Sequence, residues 1–342
     1  RLAAGDPRAA AEEALGRTRR LGARVVVPED DEWPHQVDDL IRICADGRGA
    51  IDRDAAPPLC LWVRGPWRLD EALRRSVAVV GARAATPYGE HVARQFGYGL
   101  AERGWTVVSG GAYGVDAGAH RGALAAGGLT AVVLACGVDQ PYPVSHTGLF
   151  DRIAEDGLLI SEWPPGAEPF RHRFLIRNRL IAAATLGTVL VEANARSGAR
   201  QTFRRAGQLG RCQMVVPGPV TSAMSVGCHE ELRQPGVSLV ATVGHVIEDV
   251  GRIGIDLAPV PRGPEHARDR LDSTEQRLGE ALLMRKPLSV EEVAARAGVP
   301  VRDAMRLLPS LVLRGFAEQR EGGFVVAFAP PTPRAAGDAG PP

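Results

Sequence analysis

Between residues 76 and 216 short, continuously apolar runs alternate with longer segments whose apolar residues recur at helical spacing. Ser76 to Val80, Thr106 to Val108, Thr130 to Ala135, Leu158 to Ser161, Thr188 to Val191 and Gln213 to Val216 have the length and apolar continuity of buried strands. Tyr88 to Arg103, Val115 to Ala126, Gly148 to Glu155, Phe174 to Ala184 and Ala199 to Leu209 between them predict amphipathic helices. Continuous apolar strands interleaved with helices imply a mostly parallel sheet covered on both faces. The expected fold is therefore α/β, a Rossmann-like doubly wound domain, with ligands beyond the carboxyl ends of its strands.

The flanks read differently. Residues 1–23 predict a remnant of an N-terminal helical region. Arg24 to Val27 and Pro57 to Val63 each predict a strand, so the extended Rossmann-like domain is expected over 24–250. The periodic pattern stops after Val250, and Pro259, Pro261 and Pro264 mark a linker over 251–272. Ser273-Thr274-Glu275-Gln276 is expected to cap a helix through Leu283, and Ser289 to Glu292 a second ending at Gly298. Arg302 to Arg314 forms a third, and Phe316 to Val326 predicts a hairpin. Three short helices and a hairpin over 273–329 predict a small C-terminal winged helix-turn-helix domain. The Pro/Ala/Gly-rich tail over 330–342 is expected to be disordered.

Composition narrows the function classes. The formal net charge is only +1, yet nine arginines between residues 171 and 211 face a single acid, Glu192. Lys286 is the one lysine, so anion sites should be guanidinium forks. Positive charge concentrated in this way suits a polyanion better than a small anion. Aromatic residues are only 5% of the chain, so base stacking is expected to be secondary to charge. The five cysteines have no CxxC or His/Cys ligand spacing, which argues against a disulfide framework or a metal site. No apolar run approaches the roughly 18 residues needed to span a bilayer, and no signal peptide is visible. The expectation is a cytoplasmic protein without membrane contact. The chain opens with Arg1, so an N-terminal piece is expected to be missing.

Candidate chemistry falls at the strand ends. Gly81-Ala82-Arg83, before Pro87 and Tyr88, follows a strand and opens a helix, a geometry that offers free N–H groups to an anion. It is not GxGxxG, and no acid stands at the end of the next strand, which disfavours NAD. Ser109, Gly110 and Gly111 form a second such turn, with Ser109 a possible hydroxyl donor to phosphate. Asp116 reads as a helix cap, and His120 as a packed side chain. Arg177-Asn178-Arg179, held by apolar neighbours, is the sharpest local signal for a phosphate grip. Arg196, Ser197 and Gly198 form a candidate anion nest, and Glu192 is expected to orient an arginine.

In this order the motifs Gly81-Ala82-Arg83, Ser109 to His120, Arg177 to Ala182, Glu192 with Arg196-Ser197-Gly198, and Val215-Val216-Pro217-Gly218 resemble the DprA (Smf) DNA-processing proteins over roughly residues 24–250. The resemblance implies a Rossmann-like domain that binds single-stranded DNA, usually as a homodimer. It also implies protection of incoming DNA and loading of the RecA recombinase in natural transformation and recombination. Carried over by position, Arg83, Ser109, Gly110, Arg177, Asn178, Arg179, Arg196, Ser197 and Gly198 would line the DNA pocket. Neither catalysis nor a cofactor is implied. Three stretches depart from the family pattern. A serine or threonine is often found two residues beyond the first arginine, where this chain has Ala85 followed by Thr86. A Ser-Gly-Ser-Leu run with an alanine-rich helix is usual where this chain reads Ser197-Gly198-Ala199-Arg200-Gln201-Thr202. A Gly-Asn-Leu-Ile-like run is replaced by Gly227 to Leu232. Rossmann-like nucleotide phosphoribohydrolases of the lysine-decarboxylase-like family are the alternative; they carry a PGGxGT run that this chain lacks. A regulator using only its winged helix is the third reading.

Overall fold

The structure, a computed structural model, describes residues 6–44, 55–252, 255–258 and 271–327. The chain divides into two compact units at residues 259 and 260.

The first unit runs α1 (Pro7–Arg20), β1 (Ala23–Val26), α2 (Leu40–Cys44), β2 (Leu61–Arg64), α3 (Leu69–Arg74), β3 (Ser76–Val80), α4 (Pro87–Glu102), β4 (Thr106–Ser109), α5 (Val115–Ala125) and β5 (Thr130–Leu134). It continues with α6 (Thr147–Asp156), β6 (Leu158–Ser161), α7 (Arg171–Ala183), β7 (Gly187–Leu190), α8 (Ala199–Gln208), β8 (Cys212–Val215), α9 (Val226–Leu232), β9 (Val237–Leu239) and α10 (Val243–Val250). Its sheet has nine strands in the order β1-β2-β6-β5-β4-β3-β7-β8-β9. All pairings are parallel except β1 with β2 and β2 with β6. The chain winds outward from β3 through β4, β5 and β6, then returns to lay β7 on the other side of β3. The gap between β3 and β7 is thus the topological switch point, where a doubly wound sheet opens a crevice.

Side-chain alternation along each strand builds two cores. Val77 and Val79 of β3 face α4, α5 and α10, packing with Phe96, Leu100, Ala119 and Val246. Ala78 and Val80 face the opposite layer, packing with Leu180 and Ile181 of α7 and Phe203 of α8. Thr86 caps α4 and Pro87 begins it, as the fixed proline φ favours. Helices α4 and α5 approach through glycine: a Cβ on Gly97 would lie 2.1 Å from the Ala119 carbonyl oxygen, and one on Gly122 would lie 2.2 Å from that of Arg94.

The doubly wound core agrees with the strand and helix pattern of the sequence. Strands β1 and β2 are an antiparallel extension that the apolar runs alone do not orient. The five-residue α2, six-residue α3, seven-residue α9 and three-residue β9 are each too short to display a period, so the sequence pattern does not reveal them.

The second unit contains α11 (Ser273–Ala281), α12 (Val290–Ala297), α13 (Val301–Leu313), β10 (Ala317–Arg320) and β11 (Gly323–Val326). Leu278, Val293, Leu308 and Leu311 form its own core. Capping boxes open α11 and α12, and Asp272, one residue earlier than expected, caps α11. Gly298 ends α12 in the left-handed conformation. Strands β10 and β11 pair antiparallel, and Leu288 bridges to Phe324. Most of the expected linker over 251–272 and the tail over 330–342 lie outside the described residues. Among the described residues no helix is long and apolar enough to cross a membrane.

The close contact of α4 with α5 yields a direct test. Gly97→Ala must push the two backbones apart, and overpacking of this kind costs about 1–3 kcal/mol. Urea denaturation should show that loss; a variant as stable as the wild type would contradict the packing described.

Candidate functional site

The β3–β7 ladder continues past both strands into the loops that follow. The Val191 amide donates to the Val80 carbonyl (3.0 Å), and the Ala82 amide donates to the Glu192 carbonyl (2.7 Å). A Cβ on Gly81 would sit 2.6 Å from Val115 Cγ2 and 2.9 Å from the Glu192 oxygen, so only glycine lets three loops meet here. Gly114, with φ +72°, turns the third of these loops into α5 beneath the Ala82 and Arg83 carbonyls.

Glu192 is buried, and its carboxylate reaches the start of α4. The Thr86 amide donates to Oε2 (2.8 Å) and the Thr86 hydroxyl to Oε1 (2.7 Å). A Cβ on Gly89 would collide with the same carboxylate. This corrects two expectations. Glu192 orients a helix N-terminus, not an arginine. The positive end of α4 already holds an anion, supplied by the protein itself.

The second Gly-rich turn is likewise turned inward. Ser109 is fully buried and its hydroxyl donates to the Val79 carbonyl (2.7 Å), so it is no phosphate donor in this structure. Asp116 accepts from the Gly110 amide (3.2 Å) and the Ala112 amide (3.3 Å), which makes it a clasp of the preceding turn and not the cap of α5. Burial raises its carboxyl pKa, opposed by the Arg177 charge and these amides. Gly110 backs directly onto the Arg177 guanidinium, and the Gly111 carbonyl faces His146 Nδ1 at 3.0 Å. His120 is fully buried, with Nδ1 against the Thr130 hydroxyl at 2.7 Å. That hydroxyl donates to the Val107 carbonyl, so Nδ1 must carry the proton. Burial pulls the His120 pKa down to about 3.

The Arg177-Asn178-Arg179 triplet splits three ways, because successive helical residues point about 100° apart. Arg177 is buried and donates to the Gly110 carbonyl (2.8 Å) and to that of Val133. Burial pulls its pKa down to about 10, still charged at neutral pH. Arg179 faces another way and forms a buried two-point pair with Glu162, both bonds 2.8 Å. It is a brace between α7 and the end of β6, not a free phosphate fork. Asn178 alone is half-exposed, its amide donating to Gln201 Oε1 at 3.4 Å. Arg200 and Arg211 are also braces, held by Glu230 with Glu231 and by Asp39. The sequence stretch therefore overstates the free positive charge.

What remains converges on the switch point. A cavity of about 480 Å³ opens between the ends of β3 and β7, lined by Arg83, Phe174, Asn178, Asn194, Arg196 and Ser197 among others, with Arg177 contributing its floor. Arg83 and Arg196 are exposed, and neither has an ion-pair partner among the described residues. Asn194 Oδ1 accepts from the Arg196 amide (3.0 Å) and its carbonyl accepts from the Ser197 amide (3.1 Å), a turn that aims the segment into the cavity. Gly198 stands at the N-cap of α8 without a side-chain cap. The positive end of that helix thus faces the cavity, and no side chain among the described residues caps it.

Aromatic residues gather at the same rim. Arg83 lies 5.4 Å from the Phe174 ring centroid, and Tyr142 lies 5.4 Å from it on another loop. Arg173 lies 4.9 Å from the Phe170 ring and 5.4 Å from that of Trp163. Tyr88, Tyr113, Tyr142 and Phe170 are all exposed. The low aromatic content of the chain conceals this grouping. Phe174 was recoverable from its place three residues before Arg177, on one helix face. Asn194 was recoverable as the turn residue two before Arg196.

Comparison with known proteins bears on this arrangement. Residues 24–251 match the family described as DNA recombination-mediator protein A. The chain is similar to a DNA processing protein DprA of Mycobacterium tuberculosis, 47% identical over 91% of this chain and 78% of the relative. It is similar to Protein Smf of Escherichia coli, 35% identical over 73% of this chain and 67% of the relative. Among solved structures, DNA processing protein A of Streptococcus pneumoniae matches with a TM-score of 0.60 and 31% identity, covering 69% of this chain and 78% of that one. DNA processing protein A of Helicobacter pylori, whose structure is described for its single-stranded DNA binding mode, matches with a TM-score of 0.55 and 27% identity, over 66% of this chain and 94% of that one.

Two measurements check the buried groups. Arg179→Ala leaves Glu162 unpaired in the interior and should lower stability by about 3–5 kcal/mol in urea denaturation; an unchanged midpoint would show Arg179 to be free. His120 has a folded pKa of about 3 against about 6.5 unfolded, so the unfolded chain binds more protons between those values. Its contribution is complete above about pH 6.5 and is lost as pH falls toward 3. His120→Gln should flatten the fall in stability over that window; an unaltered slope would place the histidine in contact with water.

Proposed function

Because the chain belongs to the DNA recombination-mediator protein A family, the DprA (Smf) DNA-processing proteins, we propose that its switch-point crevice binds single-stranded DNA without strong sequence preference. The single observation that carries this reading is the meeting of two exposed arginines, Arg83 and Arg196, with the uncapped start of α8 in one crevice. Guanidinium forks and helix amides hold phosphate oxygens, which gives affinity without reading bases. Phe174 and the rim aromatics suit stacking of unpaired bases, an interaction every base supports. A duplex keeps its bases stacked inside, so the aromatic rim favours single strands.

The crevice is a grip and not a reaction centre in this reading. Both oxygens of Glu192, just past the end of β7, are occupied by Thr86, and Asp116, the acid that lines the crevice, is held by the Gly110 and Ala112 amides. A phosphoribohydrolase would need a carboxylate free for its substrate. The larger role is protection of the strand and loading of the RecA recombinase in transformation and recombination. A homodimer would set two crevices along one strand and raise avidity. We read the C-terminal unit as a winged helix-turn-helix serving as an accessory module. The exposed face of α13 carries Val301, Met305 and Leu313 beside Arg302 and Arg306, a poor match to the polar face that reads a major groove.

The test is a salt titration of oligothymidine binding. Each phosphate neutralised on a single strand contributes about 0.7 to the magnitude of the log–log slope. Arg83→Ala and Arg196→Ala should each lower the slope by about that amount, whereas Arg179→Ala, where folded, should leave it unchanged. A wild-type slope near zero, or a fall with Arg179→Ala alone, would reject the assignment.

A further inference from the structure

The layer of helices opposite α7 and α8 carries a separate depression. Helix α4 packs there against both α5 and α10, and glycine makes each approach close. Gly97 and Gly122 seat α5 on α4, and a Cβ on Gly99 would lie 2.8 Å from Val243 Cγ2 at the start of α10. A trough of about 660 Å³ follows the outer side of α4. His91, Arg94, Gln95 and Tyr98 recur at intervals of three and four residues, so one face of α4 lines it over about 10 Å. Arg121 and Ala125 of α5, with Ala241, Thr242 and Val243 at the start of α10, complete the lining.

The trough is both basic and apolar. Arg94 and Arg121 are exposed, and neither has a hydrogen bond or ion pair to another described residue. His91 is exposed in the same way. Among the described residues no carboxylate lines the trough. The acids of α4 lie outside it: Glu102 pairs with Arg103 at 3.1 Å, and Glu90 is not in the lining. Between the cations stand the exposed ring of Tyr98 and the side chains of Ala125, Ala241 and Val243. Tyrosine and arginine around an apolar centre are the composition of a protein-binding patch. Surfaces that hold nucleic acid are more polar and positive throughout. No residue lines both this trough and the crevice.

We propose that this trough docks an acidic, amphipathic peptide segment of a partner protein. Carboxylates of the segment pair with Arg94 and Arg121, and an apolar side chain between them covers Tyr98 and Val243. Neither arginine has an acid of its own to release, so docking breaks no existing ion pair. The trough and the crevice share no residue, so the peptide and a DNA strand can be held together.

The experiment is fluorescence anisotropy on the full chain, with a fluorescein-labelled peptide that carries a leucine and a phenylalanine among glutamates. It should bind about tenfold more tightly than glutamates alone, and by a similar factor more tightly than the same peptide with glutamine for glutamate. Arg94→Gln/Arg121→Gln should weaken it about tenfold, the scale of two exposed ion pairs. Tyr98→Ala should weaken it about five- to tenfold, as loss of an aromatic anchor does. All three side chains are exposed, so the urea midpoint should hold in both variants. Arg83→Ala/Arg196→Ala should bind the peptide as the wild type does, and Arg94→Gln/Arg121→Gln should leave oligothymidine binding unchanged. Equal binding of the glutamine peptide, no saturable binding at about 1 mM, or an unaltered affinity in either trough variant overturns the proposal. A loss of peptide binding with Arg83→Ala/Arg196→Ala would place the peptide in the crevice and overturn it too. A smaller oligothymidine salt slope with Arg94→Gln/Arg121→Gln would make the trough a nucleic-acid surface instead.

Discussion

The carboxylate of Glu192 fixes the geometry on which the rest of the crevice depends. It stands just past the end of β7 and closes on the amide and hydroxyl of Thr86 at the start of α4. An unpaired buried carboxylate would cost several kcal/mol, so this acid and that helix terminus are mutually required. The clamp explains why Gly89 carries no side chain, since its Cβ would meet the Glu192 carboxylate; at Gly81 the obstacles are the Val115 side chain and the Glu192 backbone carbonyl. It also moves the anion site outward. In many dinucleotide-binding sheets the first helix after the central strand faces the phosphate; here that helix faces an internal acid. The helix left open is α8, and Arg83 and Arg196, which have no ion-pair partner among the described residues, stand beside it.

Arginine serves two ends in this chain. Arg177, Arg179, Arg200 and Arg211 tie loops and helices together through carbonyls and carboxylates in the interior. Planar guanidinium groups can satisfy several acceptors at once, which suits them to this bracing. Arg83 and Arg196 are exposed and have no ion-pair partner among the described residues, and charge of that kind is what a polyanion can use. Sequence proximity does not separate the two classes, since Arg177 and Arg196 carry the same group under opposite constraints.

The doubly wound sheet was legible because buried parallel strands are apolar throughout, a pattern strong enough to survive without any partner information. The strand ends were legible as well, since glycines and polar residues collect where backbones converge. Burial was not. Ser109 and Arg179 have the right chemistry for a phosphate, and only the fold shows Val79 and Glu162 taking their hydrogen bonds. Glu192 was visible as a lone acid, but its partner lies 106 residues earlier in the chain. Phe174, Tyr142 and Phe170 were diluted in a chain poor in aromatics, and the sheet gathers them because each follows or precedes a strand end.

A crystal structure of the chain with an oligothymidine bound tests the central claim most directly. Phosphate oxygens should lie within hydrogen-bond distance of the Arg83 and Arg196 guanidinium groups and of the first amides of α8, with the Glu192–Thr86 bonds intact. A phosphate seated at the start of α4 in place of the Glu192 carboxylate, or one held by Arg179 with Glu162 displaced, would contradict the account.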